Sequence, residues 1–478
     1  MKRIILFIHT LALVMSLVSC NKYLNLEPEN NTHDGVFWVD ANNISKAVSG
    51  GYSMLRDAHR LDRSYFVFGD LVAGNFITGG DYWNFKAFSK SGGFNFNYAP
   101  YLENSLWNWT RYYQIINQCN LIIENTANIP SVNFTNGDIE KNNLIAQARF
   151  LRAYTNFYMQ RVWGDILLIK NSFKDPQNIP PVARATQDEV LNFCIEDLVY
   201  AEVNIEENGS KAFGSVGAVK SLLAHIYAWK HDYINAERLA NEVITSGKYS
   251  LEAIADYSNI WKGSSKETIF EIPMLYRENG NESFLDFFNI FLEDPYIRGK
   301  SASSTWKVDG VMLDEYFDEP EDRIDVVISL DNILLKYADV KYYDNNNADI
   351  YTVSNNLVLF RLADIYLLRA EAYYKNSKEG LALEDLNKIR ERAGLNAISS
   401  SADDLFMEIF RERRRELIGE GSTQFDLIRM ELFEKLDEFN TYYSIDRINN
   451  QGYYWPLNMR VLLPQDELLT QNPWWRNN

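Results

Sequence analysis

Two distant stretches of the chain repeat one spacing. Ala224, Tyr227, Ala236, Ala240 and Val243 stand at the same offsets from one another as Ala370, Tyr373, Ala382, Leu386 and Ile389. Around each set the apolar residues recur at helical steps, and a glycine, Gly247 or Gly394, closes the run. In the first copy Lys230-His231-Asp232 supplies the turn. Each copy reads as a helical hairpin in which small alanines let two helices approach and a tyrosine fills the next groove, the tetratricopeptide pattern. Such a unit cannot bury its apolar face alone, so it needs neighbours stacked on it. The spacing therefore predicts a mainly α protein built as a tetratricopeptide-like helical repeat scaffold. Helix pairs are expected over 140–204, 215–247 and 358–393, stacked as a right-handed array.

The middle of this scaffold is the run Ala148 to Asp165, ARFLRAYTNFYMQRVWGD. Leu144, Ala148, Leu151, Thr155, Tyr158 and Val162 make one stripe at steps of four and three, widened by Ala153 and Phe157. Arg149, Arg152 and Arg161 interrupt the apolar face, and structural ion pairs are expected for them. Gly164 supplies the stop. Thr186 and Glu189 form a capping box for the following helix. Further helices are expected over Phe37–Arg56 and Leu106–Ala127. The basic run Arg411-Glu-Arg-Arg-Arg-Glu416 has glutamates at three- and four-residue spacings among its arginines. A solvated or inter-helix ion-pair ladder is the expectation there.

Two long segments break the helical period, at about 66–104 and 251–357, and both are rich in aromatics. Loops of that length in a compact protein are functional or disordered, and the aromatics argue against disorder. The two insertions are expected on one side of the scaffold. Aromatics on the repeat helices are explained as core by their spacing, whereas those of the insertions are not. Tyr82 and Trp83, flanked by Asp81 and Asn84, offer flat apolar faces beside a carboxylate and an amide. Tyr296, Arg298 and Trp306 are the corresponding choices from the second insertion. Such a set suits a ligand with apolar ring faces and polar edges, such as a sugar.

Lys2 and Arg3 precede a mainly apolar run, Ile4 to Val18, and Leu17-Val18-Ser19-Cys20 reads as a lipobox. Residues 1–19 are thus expected to be a cleaved secretory signal, with Cys20 the lipidated first residue of the mature chain. More than one acyl chain gives stable anchoring. Residues 20–35 read as a polar tether and 36–478 as a single domain, although length alone suggests roughly three domains. The net charge of -18 repels phosphate backbones and argues against nucleic-acid binding. Cys119 and Cys194 sit in helix-like runs and read as buried small hydrophobes, with a single disulfide between them left open.

The residues offer little catalytic chemistry. The five histidines form no HExxH or CxxC-type pattern. Gly214-Ser-Val-Gly217 lacks nucleophile-elbow spacing, and Asp344-Asn-Asn-Asn-Ala-Asp349 is broken as a calcium loop by Ala348. No metal or cofactor is expected. One enzymatic alternative is a lipid-anchored glycoside hydrolase pairing Asp81 with a carboxylate from Asp314 to Asp325. Another alternative is a repeat protein that only binds another protein, which would not need the two aromatic insertions.

Taken in order, these stretches resemble the SusD/RagB family of surface nutrient-binding lipoproteins. The resemblance rests on the lipobox, ARFLRAYTNFYMQRVWGD from Ala148 and the hairpin from Val219. It continues through RLADIYLLRAEAYYK from Arg361, LNKIRERAGL from Leu386, RERRRELIGEGSTQFDLIRM from Arg411 and LLPQDEL from Leu462. It spans Cys20 to Pro473. Two departures occur: Ser422-Thr423-Gln424 where the family often carries a basic residue before an aromatic pair, and no extra Ile-Pro beside Leu463-Pro464. The resemblance implies an outer-membrane, surface-exposed binding protein without catalysis. Its partner would be a SusC-like TonB-dependent transporter barrel and its ligand an oligosaccharide, or in some members a peptide. In the family, the loop corresponding to 81–84 and the later insertion contribute to the ligand surface.

Overall fold

The computed structural model describes residues 37–476 apart from 79, 81–84, 97, 174–179, 208, 275–286, 343–350, 400–403, 461 and 466. The signal segment, Cys20 and the tether lie outside the described residues. Among the described residues, no helix is long and apolar enough to cross a membrane.

Nine helices carry the scaffold: α1 (Ala41–Arg60), α2 (Thr110–Asn128), α3 (Asp138–Trp163), α4 (Gln187–Asn204), α5 (Val216–Trp229), α6 (Tyr233–Thr245), α7 (Leu362–Lys375), α8 (Glu379–Arg392) and α9 (Leu405–Leu417). From α1 to α8 each packs on the next, and α9 closes against α7 and α8. The mainly helical repeat-type architecture is therefore as expected. α6 and α7 are neighbours in space although the whole second insertion separates them in sequence. The local signals act as read. Thr186 and Glu189 form a complete capping box on α4. The Ser215 and Asp232 side chains accept from the third backbone N–H beyond them to start α5 and α6. Gly164 ends α3 with φ 74°, a conformation costly to any residue with a Cβ.

α3 is the central helix, buried almost continuously from Leu144 to Gln160. Its arginines divide. Arg152 makes a bidentate pair with Asp197 at 2.7 Å and donates to Asn120 at 2.6 Å. Arg149 reaches the same Asp197 at 3.3 Å and lies over the Tyr200 ring. Arg161 forms no ion pair among the described residues: its guanidinium lies between the rings of Phe157 and Phe425, at 4.4 and 4.3 Å. The expectation of ion pairs fails at this one position.

The basic run on α9 takes the inter-helix rather than the solvated form of the expected ladder. Arg411 is in contact with water, but Glu412, Arg413, Arg414, Arg415 and Glu416 are all buried. Glu416 accepts from Arg323 at 2.7 Å, Arg361 at 2.5 Å and the Tyr257 hydroxyl at 2.9 Å, and also from Arg392. Arg413 bridges Asp364 and Asp426, while Arg414 donates to Asn75 at 3.0 Å and to the Ala73 carbonyl. The ladder is inter-element and buried, because its partners come from several different segments that close over α9. Burial of this many charges is tolerated only where nearly every donor and acceptor is matched.

Six strands occur in the insertions or border them: β1 (Phe76–Thr78), β2 (Thr268–Pro273), β3 (Trp306–Val308), β4 (Val340–Tyr342), β5 (Tyr351–Val353) and β6 (Asn356–Arg361). A further two-residue pair joins Ile166–Leu167 to Arg184–Ala185. β2 pairs antiparallel with β6, which brings the end of the second insertion back beside its start and feeds directly into α7. One apolar core runs through helices and insertions alike, from Ile44 to Trp475.

Candidate ligand surface

The two insertions are joined by a short antiparallel ribbon. β1 from the first pairs with β3 from the second, Phe76 opposite Val308, Ile77 opposite Lys307 and Thr78 opposite Trp306. Alternation along a strand sends successive side chains to opposite faces. Phe76, Trp306 and Val308 point inward and are buried, whereas Ile77 stays exposed and Lys307 pairs with Glu293 at 3.0 Å on the outer face. Beneath the ribbon the insertion aromatics form their own layer. Phe66 stacks on Phe287 at 4.6 Å, Phe288 on Tyr337 at 4.3 Å, and Phe291 lies 5.1 Å from Phe76. The insertions thus lie together, as their composition suggests.

Asp81, Tyr82, Trp83 and Asn84 lie outside the described residues. Their described neighbours do not. A Cβ on Gly80 would sit 2.8 Å from the Ser303 carbonyl oxygen, and Phe85 meets the edge of Trp306 at 5.1 Å between centroids. Both approaches to the loop are therefore held against residues 303–306 of the second insertion. Trp306 itself is 1% exposed and packs on Phe76, Phe85 and Phe291. It is a core residue here, which corrects the expectation that its ring faces a ligand. The physical reason is the ribbon: pairing with β1 turns Trp306 to the inner face.

Tyr296 is half-buried against the small cluster of Leu292, Ile297 and Ile333. Arg298 is exposed, its guanidinium 4.2 Å from the centre of the Tyr342 ring, and its backbone N–H donates to the Tyr342 hydroxyl at 2.8 Å. Tyr342 faces Tyr351 across the β4–β5 pair, and the Tyr351 hydroxyl accepts from Asn289. Tyr342 was not singled out from the sequence. Its signal would have been the two tyrosines flanking the Asn-rich turn, which any hairpin there places opposite one another. The result is a neighbourhood of Arg298, Tyr342 and Tyr296 within the second insertion. It presents a cation, apolar ring faces and hydroxyls.

A larger concavity lies elsewhere, at the start of α2. It encloses about 680 Å³ between Trp109, Tyr113, Phe173, Val182, Leu462 and Leu469. That volume is within the range of small-molecule pockets. Trp109 is buried, and the Tyr113 hydroxyl is engaged by the Leu167 backbone on both sides, accepting at 2.7 Å and donating at 3.0 Å. The wall is mostly apolar. No group of three or more His, Cys, Asp or Glu is placed to hold a metal ion among the described residues, and Asp344–Asp349 fall outside them. Cys119 and Cys194 are free and buried rather than bridged, and burial pushes the Cys119 thiol up to about 12.

Two family descriptions match the chain, one covering residues 23–228 as "starch-binding associating with outer membrane" and one covering 332–475 as the SusD family. The chain belongs to the SusD/RagB family. The SusD-like protein P38 of Formosa agariphila is 25% identical to it over an alignment covering 96% of both chains. The starch-binding protein SusD of Bacteroides thetaiotaomicron is 22% identical over 70% of this chain and 72% of that protein. A solved SusD superfamily protein, also from Bacteroides thetaiotaomicron, superposes with a TM-score of 0.74 at 24% identity, covering 92% of this chain and 99% of that one. For this SusD/RagB protein the two family matches leave residues 229–331 between them. Much of the second insertion, with Tyr296, Arg298 and Trp306, lies in that interval.

Proposed function

We propose that this SusD/RagB protein is a cell-surface glycan-binding lipoprotein without catalytic activity. It is held at the outer membrane through Cys20, captures an oligosaccharide and delivers it to a partner TonB-dependent transporter of the SusC type. The observation that carries the reading is the match of residues 23–228 to the family described as starch-binding and outer-membrane associated. The starch-binding SusD relative points the same way. The ligand surface in this reading is the joined face of the two insertions, with Asp81, Tyr82, Trp83 and Asn84 on one side and Tyr296, Arg298 and Tyr342 on the other. Aromatic faces stack on sugar rings and a guanidinium donates to hydroxyls, so the residue types suit the ligand. Handover follows from physics. A binder anchored only by acyl chains has no path across the bilayer and must pass its ligand to a protein that has one.

Calorimetric or array screening of the mature protein against oligosaccharides tests the capture step. Saturable binding with the glycan recovered intact supports it. Binding of peptides and no glycan would move the reading to peptide capture, and release of shortened sugars would replace it with hydrolysis. Anchoring is tested by palmitate labelling, which Cys20→Ala must abolish. Partnership is tested by affinity purification from native membranes, where failure to recover a large barrel would remove the delivery step.

A further inference from the structure

A small polar cavity of about 50 Å³ lies between α3, β6, α9 and the segment that follows α9. Its lining mixes apolar walls, among them Val358, Phe360 and Phe425, with the charged residues Arg161, Arg361, Arg413, Arg429, Asp364, Asp426 and Glu420. Three of the four arginines are matched. Arg413 donates to Asp364 at 2.9 Å and Asp426 at 3.0 Å, Arg429 to Glu371 at 2.7 Å, and Arg361 to Glu420 at 2.8 Å. Asp364 also faces His225 at 2.7 Å. These carboxylates are thus all engaged by cations of their own.

Arg161 is the exception. Among the described residues it makes no ion pair and no hydrogen bond, and its buried Nε has no partner. Two rings clamp its faces, which fixes the guanidinium plane and leaves only its N–H edge to be satisfied. Burial, with the Arg429 charge adding to it, holds its pKa below the usual arginine value. Cation–π contacts recover only ~0.5–2 kcal/mol each, less than the desolvation cost of a charge without a counter-charge, and with Arg161 half-buried part of that cost remains. The hydroxyl of Ser422 lines the same cavity, is buried and has no partner either. An unmatched cation and an unmatched hydroxyl therefore border one small cavity.

We infer that this cavity binds a small monovalent anion of the halide class, held by the Arg161 guanidinium edge and the Ser422 hydroxyl. Water alone would satisfy hydrogen bonds and leave the charge uncompensated. The space is large enough for about three waters, or for a halide with fewer. It is too closely bordered by Asp364, Asp426 and Glu420 for a phosphate or another multiply charged anion. The anion would tie α3 to the segment carrying Phe425.

The test uses the full mature chain in sodium bromide, sodium chloride or sodium methanesulfonate at one ionic strength. The halides should raise the unfolding temperature saturably, by about 2–4 °C, while methanesulfonate should not. Arg161→Gln should abolish the difference and Ser422→Ala should weaken it. Bromide-soaked crystals of the wild-type protein should give an anomalous peak in the cavity within hydrogen-bonding distance of Arg161, a readout that holds even if Arg161→Gln fails to fold. Water density without an anomalous peak, or a halide response equal in wild type and Arg161→Gln, would overturn the assignment.

Discussion

The buried Asp70 carboxylate accepts the backbone N–H of Gly421 at 2.6 Å. It also accepts from Gly419 at 3.1 Å and from Asn75 at 2.9 Å, so one side chain of the first insertion fixes the turn that follows α9. Burial outweighs these bonds and raises its pKa to about 7. The unfolded value lies near 3.9. Between the two, the folded chain holds a proton that the unfolded chain has lost. The stabilisation linked to Asp70 is thus fully present below about pH 4 and is lost as pH rises towards 7. Denaturation of wild type and Asp70→Asn at a series of pH values should show wild type losing a few kcal/mol relative to the variant across that window. Parallel pH profiles would contradict this account.

Glu416 behaves in the opposite sense. Burial alone would raise its pKa, but Arg392, Arg361, Arg323 and Lys336 together hold it well below the usual carboxylate range. Its contribution is present above about pH 4.3 and is lost as pH falls below that value. Glu416→Gln keeps the shape but leaves three arginines short of a counter-charge. The expected cost is ~3–5 kcal/mol, read as a shift of the denaturation midpoint. A change below about 1 kcal/mol, the scale of an exposed pair, would show that the network relaxes around the loss.

Cys119 and Cys194 are both fully buried thiols, and burial raises the pKa of each. Since the thiolate is the reactive form, neither should react with a thiol reagent in the native protein at neutral pH. Both should react at once in denaturant without prior reduction. A reagent count of zero in denaturant would mean that the two are bridged.

The helices were legible because periodicity is local. Ala224 and Ala370 mark the close approach of helix pairs without any knowledge of what surrounds them. The buried charges were not legible, because their partners are remote. Nothing near Arg413 in the sequence announces that Asp364 will reach it, or that Arg323 and Arg361 will close on Glu416. Trp306 looked like a loop aromatic because a three-residue strand is too short to display alternation. Only its pairing with Phe76–Thr78 decides which way it faces. Tyr342 escaped for the same reason, since its place beside Arg298 depends on a hairpin and on a separate loop meeting it.

The proposed ligand surface separates residues that hold the fold from residues proposed to meet the ligand. Trp306 is buried among Phe76, Phe85 and Phe291. Trp306→Ala should therefore cost ~3–5 kcal/mol of folding stability and lower affinity only through that loss. Arg298 is exposed, and its interaction with Tyr342 is a cation–π contact at the surface. Such a contact contributes ~0.5–1 kcal/mol to stability, so Arg298→Ala and Tyr342→Ala should leave the unfolding temperature nearly unchanged. If this face holds the glycan, each should weaken binding about tenfold, or ~1.4 kcal/mol. Trp83→Ala should weaken binding likewise. Calorimetric titration of the four variants with one oligosaccharide, beside their melting curves, distinguishes the cases. Wild-type affinity in Arg298→Ala, Tyr342→Ala and Trp83→Ala together would move the site away from this face. The wide cavity bounded by Trp109, Tyr113 and Phe173 would then be the next surface to probe, with Phe173→Ala as the first variant.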